Sequence, residues 1–171
     1  MTGPLHSVPR SRPGIADWND DGTPDVVLPD ARGVLTVHLG TRGDGGVVRL
    51  SRTVVPRTRE GHAVVVEPHL RHVSAGRVQH DLADWDGDGQ LDIVLSRRTE
   101  TVPRRFTVVA YRSAGTADAP ILEPVEVLSD VHSGHEAGLH VTDWDSDGTL
   151  DLLTGDQEGR VWVWNGRDLP R

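Results

Sequence analysis

A nine-residue acidic segment occurs three times in this chain, and the repetition limits the possible folds more than any other feature. Residues 17–25 read DWNDDGTPD, residues 84–92 DWDGDGQLD and residues 143–151 DWDSDGTLD, so the copies start 67 and 59 residues apart. The first and third align without a gap from Asp17 to Gly40 and from Asp143 to Gly166. That alignment matches Asp30 with Asp156, Gly33 with Gly159 and Val37 with Val163. Repetition at such a period marks an array of one supersecondary unit, each copy burying its apolar surface against a neighbour.

The residues around each copy read as strands. A short apolar run follows every loop: Val26-Val27-Leu28, Ile93-Val94-Leu95 and Leu152-Leu153. Runs this short, closed by Pro, Gly or polar residues, suit strands buried on both faces. Strands are also expected before the loops, at Gln79–Trp85 and Leu139–Trp144, and beyond a tight turn, at Val34–Leu39, Phe106–Tyr111 and Arg160–Trp164. A fourth follows in two copies, at Val47–Val55 and Ile121–Leu128. Nineteen Gly and eleven Pro fit many turns between short strands.

Four antiparallel strands repeated about every 60 residues make a propeller blade. The expected fold is therefore all-β, a β-propeller of three four-stranded antiparallel blades, half of a six-blade ring or a fragment of a larger one. The division runs 1–14 as an N-terminal closing strand, 15–55 as blade 1 and 56–78 as an insertion with one extra strand at Ala63–Glu67. It continues with 79–130 as blade 2, 131–166 as blade 3 without its fourth strand, and 167–171 as a tail. Three blades would taper too sharply to close alone. The extended segment Pro4–Pro9 is expected to supply the missing strand of the last blade in a second chain, giving a homodimer that closes six blades.

The loops carry the chemistry. Calcium takes six to eight oxygen ligands, and acids at positions 1, 3, 5 and 9 of a nine-residue loop, with the carbonyl of position 7, wrap oxygens around one point. The first loop offers Asp17, Asn19, Asp21, the Thr23 carbonyl and Asp25; the second Asp84, Asp86, Asp88, the Gln90 carbonyl and Asp92; the third Asp143, Asp145, Asp147, the Thr149 carbonyl and Asp151. Up to three Ca²⁺ are expected. Gly22, Gly89 and Gly148 stand at position 6, where the turn favours positive φ. Carboxylates crowded this way are expected to repel one another and raise their own pKa values unless a cation is present. Asn19 removes one charge, which marks the first site as the weakest. An EF-hand is excluded, because position 12 holds Leu28, Leu95 and Thr154 instead of Glu.

The pattern Asp-Trp-Asp/Asn-x-Asp-Gly-x-x-Asp followed by apolar residues resembles the FG-GAP and VCBS repeats, the calcium-loop blades of integrin α-subunit propellers, some fungal lectins and bacterial rhamnogalacturonan lyases. The likeness is greatest to bacterial FG-GAP-like repeat proteins. Ser74-Ala-Gly-Arg-Val, Ser133-Gly-His-Glu and Gly155-Asp-Gln-Glu-Gly-Arg-Val-Trp-Val-Trp resemble their approach and closing segments. The resemblance covers most of residues 15–166. It implies calcium, secretion, and a ring of more than three blades whose face binds a glycan or a protein.

The remaining residues divide between packing and contact. Trp18, Trp85 and Trp144 repeat at loop position 2 and are expected between blades. Trp162 and Trp164 share one face of the last strand, as core, as an interface or as a sugar-stacking pair. His135 and Glu136 precede the third loop, for a structural hydrogen bond or a substrate contact. Arg97, Arg98, Arg104 and Arg105 flank a protruding hairpin, solvated or in contact with an anion such as an acidic polysaccharide. His69 and His72 lack an acid at ligand spacing for zinc.

Composition excludes other classes. A formal charge of −8, with no Lys and no basic face, argues against nucleic acid. The absence of Cys rules out disulfides and thiolate metal sites. No apolar run reaches the length of a membrane span, and the first residues lack the pattern of a secretory signal. No nucleophile elbow or phosphate loop is present. The expected function is a calcium-stabilised binding module, with two alternatives. One is part of a polysaccharide lyase in which calcium neutralises a uronate and a His or Arg removes a proton; the other is a purely structural or assembly propeller.

Overall fold

The computed structural model describes residues 12–66, 78–98, 105–131, 138–156 and 158–171. The segment Pro4–Pro9, His69, His72, Arg104, His135 and Glu136 lie outside them, as does the side chain of Arg98. The described residues contain eleven strands in three antiparallel sheets of four, four and three strands, two short 3₁₀ turns and no α-helix. Each sheet is open at both edges. The chain forms two compact units, Met1–Arg77 with Ser113–Leu122, and Val78–Arg112 with Glu123–Arg171.

The first unit holds the sheet β1 (Gly14–Ala16), β2 (Asp25–Pro29), β3 (Leu35–Arg42) and β4 (Val48–Val54), in that order. The doubly apolar run after the first loop becomes β2, with Val27 and Leu28 buried beside Leu35, Val37 and Leu39 of β3. The β2–β3 turn is organised by Asp30, whose Oδ1 accepts the backbone N–H groups of Arg32 and Val34 at 2.8 and 3.0 Å. Gly33 takes φ +77° there and donates to the Asp30 carbonyl. Behind the sheet, the expected extra strand is reduced to bridges between Arg57 and Ala63 and between Val34 and Val65. It still buries Val64 and Val66, and the Leu35 N–H donates to the Val64 carbonyl. Residues 56–66 thus contribute to this unit's core.

The second unit contains β5 (Gln79–Ala83), β6 (Asp92–Arg98), β7 (Phe106–Thr116) and β8 (Ala119–Val131), followed by the three-stranded sheet of β9 (Gly138–Thr142), β10 (Asp151–Gly155) and β11 (Val161–Trp164). The tip of the long β7–β8 hairpin falls in the first unit, where Arg57 exchanges backbone hydrogen bonds with Pro120 and Leu122. The hairpin outruns its expected span because Gly115, at φ +82°, and Thr116 shape its end, where the Ala119 N–H donates to the Thr116 hydroxyl.

A single apolar cluster joins the two sheets of the second unit: Trp85, Val94, Val108, Ala110, Val127, Leu139, Val141 and Leu152. A polar clip reinforces it, since Asp81 on β5 accepts the Val141 N–H at 2.9 Å and meets His140 Nδ1 at 2.6 Å. The segment expected as a tail is also fastened. The Trp85 indole N–H donates to the Pro170 carbonyl, and the Arg171 guanidinium lies 4.1 Å from the Trp85 ring centroid. That guanidinium donates as well to the carbonyls of Trp85, Leu150 and Gly166.

Candidate metal centres

The three acidic loops share most of their hydrogen bonds, although Oδ1 of position 1 accepts from position 5 in the first and third loops and from position 4, Gly87, in the second. In each, the N–H of position 6 (Gly22, Gly89, Gly148) donates to Oδ2 of position 1 (Asp17, Asp84, Asp143) at 2.7, 2.9 and 3.0 Å. The N–H of position 7 (Thr23, Gln90, Thr149) donates to Oδ1 of position 5 (Asp21, Asp88, Asp147) at 2.8 Å every time. Position 5 in turn donates its N–H to Oδ1 of position 3, which is Asn19, Asp86 or Asp145. Successive Asx-type turns therefore curl the backbone so that the odd-numbered side chains face inward.

This curl needs two left-handed residues. Position 6 supplies one, with φ of 79°, 90° and 84° at Gly22, Gly89 and Gly148. Position 4 is the second, and the sequence reading missed it: Asp20, Gly87 and Ser146 take φ of 57°, 81° and 61°. The varied side chains there conceal a shared dihedral, although Asp, Gly and Ser are all small. Asp tolerates this region better than most residues.

Position 9 is buried and has a different task. Asp25, Asp92 and Asp151 are at most 2% exposed. Oδ2 of each accepts the N–H of the position-2 tryptophan at 2.8–2.9 Å, which closes the loop. Oδ1 of Asp25 accepts the Gly40 N–H at 2.6 Å, and Oδ1 of Asp151 the Gly166 N–H at 2.7 Å. These glycines are obligatory because a Cβ on Gly40 would collide with the Pro24 carbonyl and one on Gly166 with the Leu150 carbonyl.

In the second and third loops three carboxylates converge. Asp84, Asp86 and Asp88 place one oxygen each within 4.8 Å of one another, and so do Asp143, Asp145 and Asp151. Oxygens on opposite sides of Ca²⁺ stand about 5 Å apart, so this spacing fits such an ion. The donor set is all oxygen, which suits a hard cation. Asp147 Oδ2 stands apart from this group: it is buried, accepts no aligned hydrogen bond from the described residues and lies 2.8 Å from Arg167 Nε. In the first loop, Asn19 occupies position 3 and donates its amide N–H to Asp21 Oδ2 at 3.0 Å. Its carboxylates do not form a comparable group.

Crowding does not raise all these carboxylates as expected. The Asn19 amide holds Asp21 below the usual carboxylate range despite some desolvation. Asp151 is lowered chiefly by the Gly166 N–H, with those of Trp144 and Asp145 adding to it against burial. Backbone N–H groups thus do part of the work assigned to a cation.

The other singled-out residues separate. Trp85 is 2% exposed in the core of the second unit, whereas Trp144 is 61% exposed and Trp18 half-buried. One repeated position thus has three environments. Trp162 and Trp164 share a face with ring centroids 6.5 Å apart, and the Arg160 guanidinium lies 5.5 Å from the Trp162 ring. The inner ring, Trp164, donates to the Thr154 hydroxyl. Arg97 and Arg98 close β6, paired antiparallel with Thr107 and Phe106 of β7. Comparison with protein-family models, with characterised proteins and with solved structures gives no match to this chain.

Proposed function

We propose that the chain is a calcium-stabilised β-propeller module of the FG-GAP/VCBS type. Each sheet is one blade, each acidic loop a structural cation site, and the face of the propeller binds a glycan or a protein. The observation that carries the reading is the convergence of three carboxylates in each of two loops, from positions 1, 3 and 5 in the second and 1, 3 and 9 in the third. Asp84, Asp86 and Asp88 would hold one ion, and Asp143, Asp145 and Asp151 another. The ion would supply the positive charge that lets these carboxylates sit together. The partly exposed Trp162, flanked by Arg160 and Trp164, offers a flat aromatic surface of the kind sugars stack on.

Assembly with a second copy is favoured by β11. Val161, Trp162 and Val163 are 69, 47 and 46% exposed, while the matched Leu35, Thr36 and Val37 of β3 are 1, 4 and 0% exposed, Val37 paired with Val54 of β4 and Leu35 bonded to Val64. A strand from a second chain would cover that edge.

Thermal melts with and without calcium test the metal reading. An ion present at about 100 times its Kd stabilises by about 2.7 kcal/mol per site, about 5–10 °C for a chain of this size. Chelation is expected to lower Tm by at least that amount, with calcium restoring it. Identical melts in EDTA and in excess calcium would overturn the proposal. A glycan array run in both conditions then separates a glycan receptor from a scaffold.

A further inference from the structure

The second and third loops carry the same four carboxylates at positions 1, 3, 5 and 9, so charge count alone ranks them equal. They differ in what stands on the free oxygen of position 5. In every loop Oδ1 of that aspartate is taken by the N–H of position 7, which leaves Oδ2 to face a ligand. In the first loop Oδ2 accepts the neutral amide of Asn19 at 3.0 Å, and in the second the neutral amide of Gln90 at 3.3 Å. In the third it lies 2.8 Å from Nε of Arg167, a full cation.

That pairing is a charge contact, not an aligned hydrogen bond, since Asp147 Oδ2 accepts none from the described residues although it is buried. The neighbouring arginines act otherwise. Arg42 donates to the Gly22 carbonyl at 3.1 Å. Arg112 lies 3.9 Å from Asp86 and 3.7 Å from Glu123, and Arg171 is held by backbone carbonyls and the Trp85 ring. Arg167 thus stands nearer its loop carboxylate than Arg112 does to Asp86, and Asp147 lies outside the converging trio of the third loop whereas its counterpart Asp88 belongs to that of the second. Its place follows from the fold, because Gly166 is bonded to Asp151 and the 3₁₀ turn Gly166–Asp168 then brings residue 167 over the loop.

We propose that Arg167 is a tethered competitor for the cation of the third loop, which makes that loop bind calcium more weakly than the second. This rests on the calcium reading above. A divalent ion approaching Asp147 must displace the guanidinium and then bear its repulsion. Arg167 is 64% exposed along its side chain, so it has room to swing away. The ion pair also neutralises Asp147 when calcium is scarce, so the loop keeps its shape across a range of calcium concentration.

Calorimetric calcium titration of the full chain tests this in two backgrounds. Asp21→Asn with Asp88→Asn leaves the third loop, and Asp21→Asn with Asp147→Asn leaves the second. Arg167→Gln is expected to tighten the third loop about five- to tenfold, with the gain shrinking as salt is raised, and to leave the second loop unchanged. If the second loop binds calcium while Arg167→Gln leaves the third unmoved, the inference falls and the calcium reading stands. If neither loop binds, both fall. Should the double variants fail to fold, Arg167→Gln in the otherwise intact chain must tighten one resolved binding step by the same factor; an unchanged isotherm rejects the proposal.

Discussion

Asp151 and Asp145 are both loop acids, yet their surroundings set them different tasks. Asp151 is buried and accepts the N–H groups of Trp144 and Gly166, whereas Asp145 is exposed and accepts one N–H from within the loop. Asp151→Asn is therefore expected to destabilise by about 1–3 kcal/mol even in EDTA, because an amide cannot accept at both atoms. Asp145→Asn should alter only the calcium-dependent part of stability. Urea titrations with and without chelator distinguish the two, and equal losses in EDTA would contradict the division. The tryptophans divide likewise. Trp85→Ala should cost about 3–5 kcal/mol, since it empties the centre of a buried cluster. Trp144→Ala, at an exposed site, should cost less than about 0.5 kcal/mol. Similar losses from both would show that Trp144 is buried in solution.

At the scale of elements, the β2–β3 hairpin links pH to stability. His38 on β3 is buried between two hydroxyls, those of Thr36 at 3.0 Å and Thr53 at 2.9 Å. The Thr36 hydroxyl donates to the Leu28 carbonyl, so it accepts from His38 Nε2–H, and Nδ1 accepts from Thr53. The ring is thereby held neutral, and burial pushes its pKa below the ordinary histidine value. The unfolded chain then binds more protons, so stability falls as pH drops below about 6.5 and levels off beneath the folded pKa. Melts in EDTA between pH 8 and 5 should show this fall, and His38→Gln should flatten it; parallel profiles would refute the assignment. The matched turn acids act in the same direction but at lower pH. Despite desolvation, Asp30 is lowered by the Val34 N–H and by Arg32, and Asp156 is lowered to about 2 by Arg160. Their contribution is present above the ordinary carboxylate pKa and is lost only as pH falls through these depressed values.

For the whole molecule, β11 is the open question. An edge strand with three consecutive exposed apolar residues is a template for pairing, which proteins ordinarily cover or charge. The assembly reading predicts a dimer by light scattering at micromolar concentration in calcium. Val161→Lys, placed on that edge, should shift it toward monomer while leaving the thermal melt of the monomer almost unchanged. A monomeric wild-type chain would remove the second-copy reading and leave the calcium sites untouched. Chelation should loosen the same dimer, because the third loop ends directly in β10, the strand that β11 pairs with.

Much of this protein is local and could be read from residues alone. The loops, the position-6 glycines, the strands following them and the Asp30/Asp156 turns all depend on interactions across a few positions, so their spacing is printed in the chain. Other features needed the third dimension. That Trp85 is buried and Trp144 exposed depends on which sheet lies against each loop, and identical motifs carry no information about that. The use of 56–66 as core depends on non-local backbone bonds of Val64 to Leu35 and of Val66 to Gly33. The contact of Arg167 with Asp147 joins residues twenty positions apart, brought together only because Gly166 is bonded to Asp151. Local chemistry determined the loops; tertiary packing decided which of them are crowded, covered or opposed by a cation.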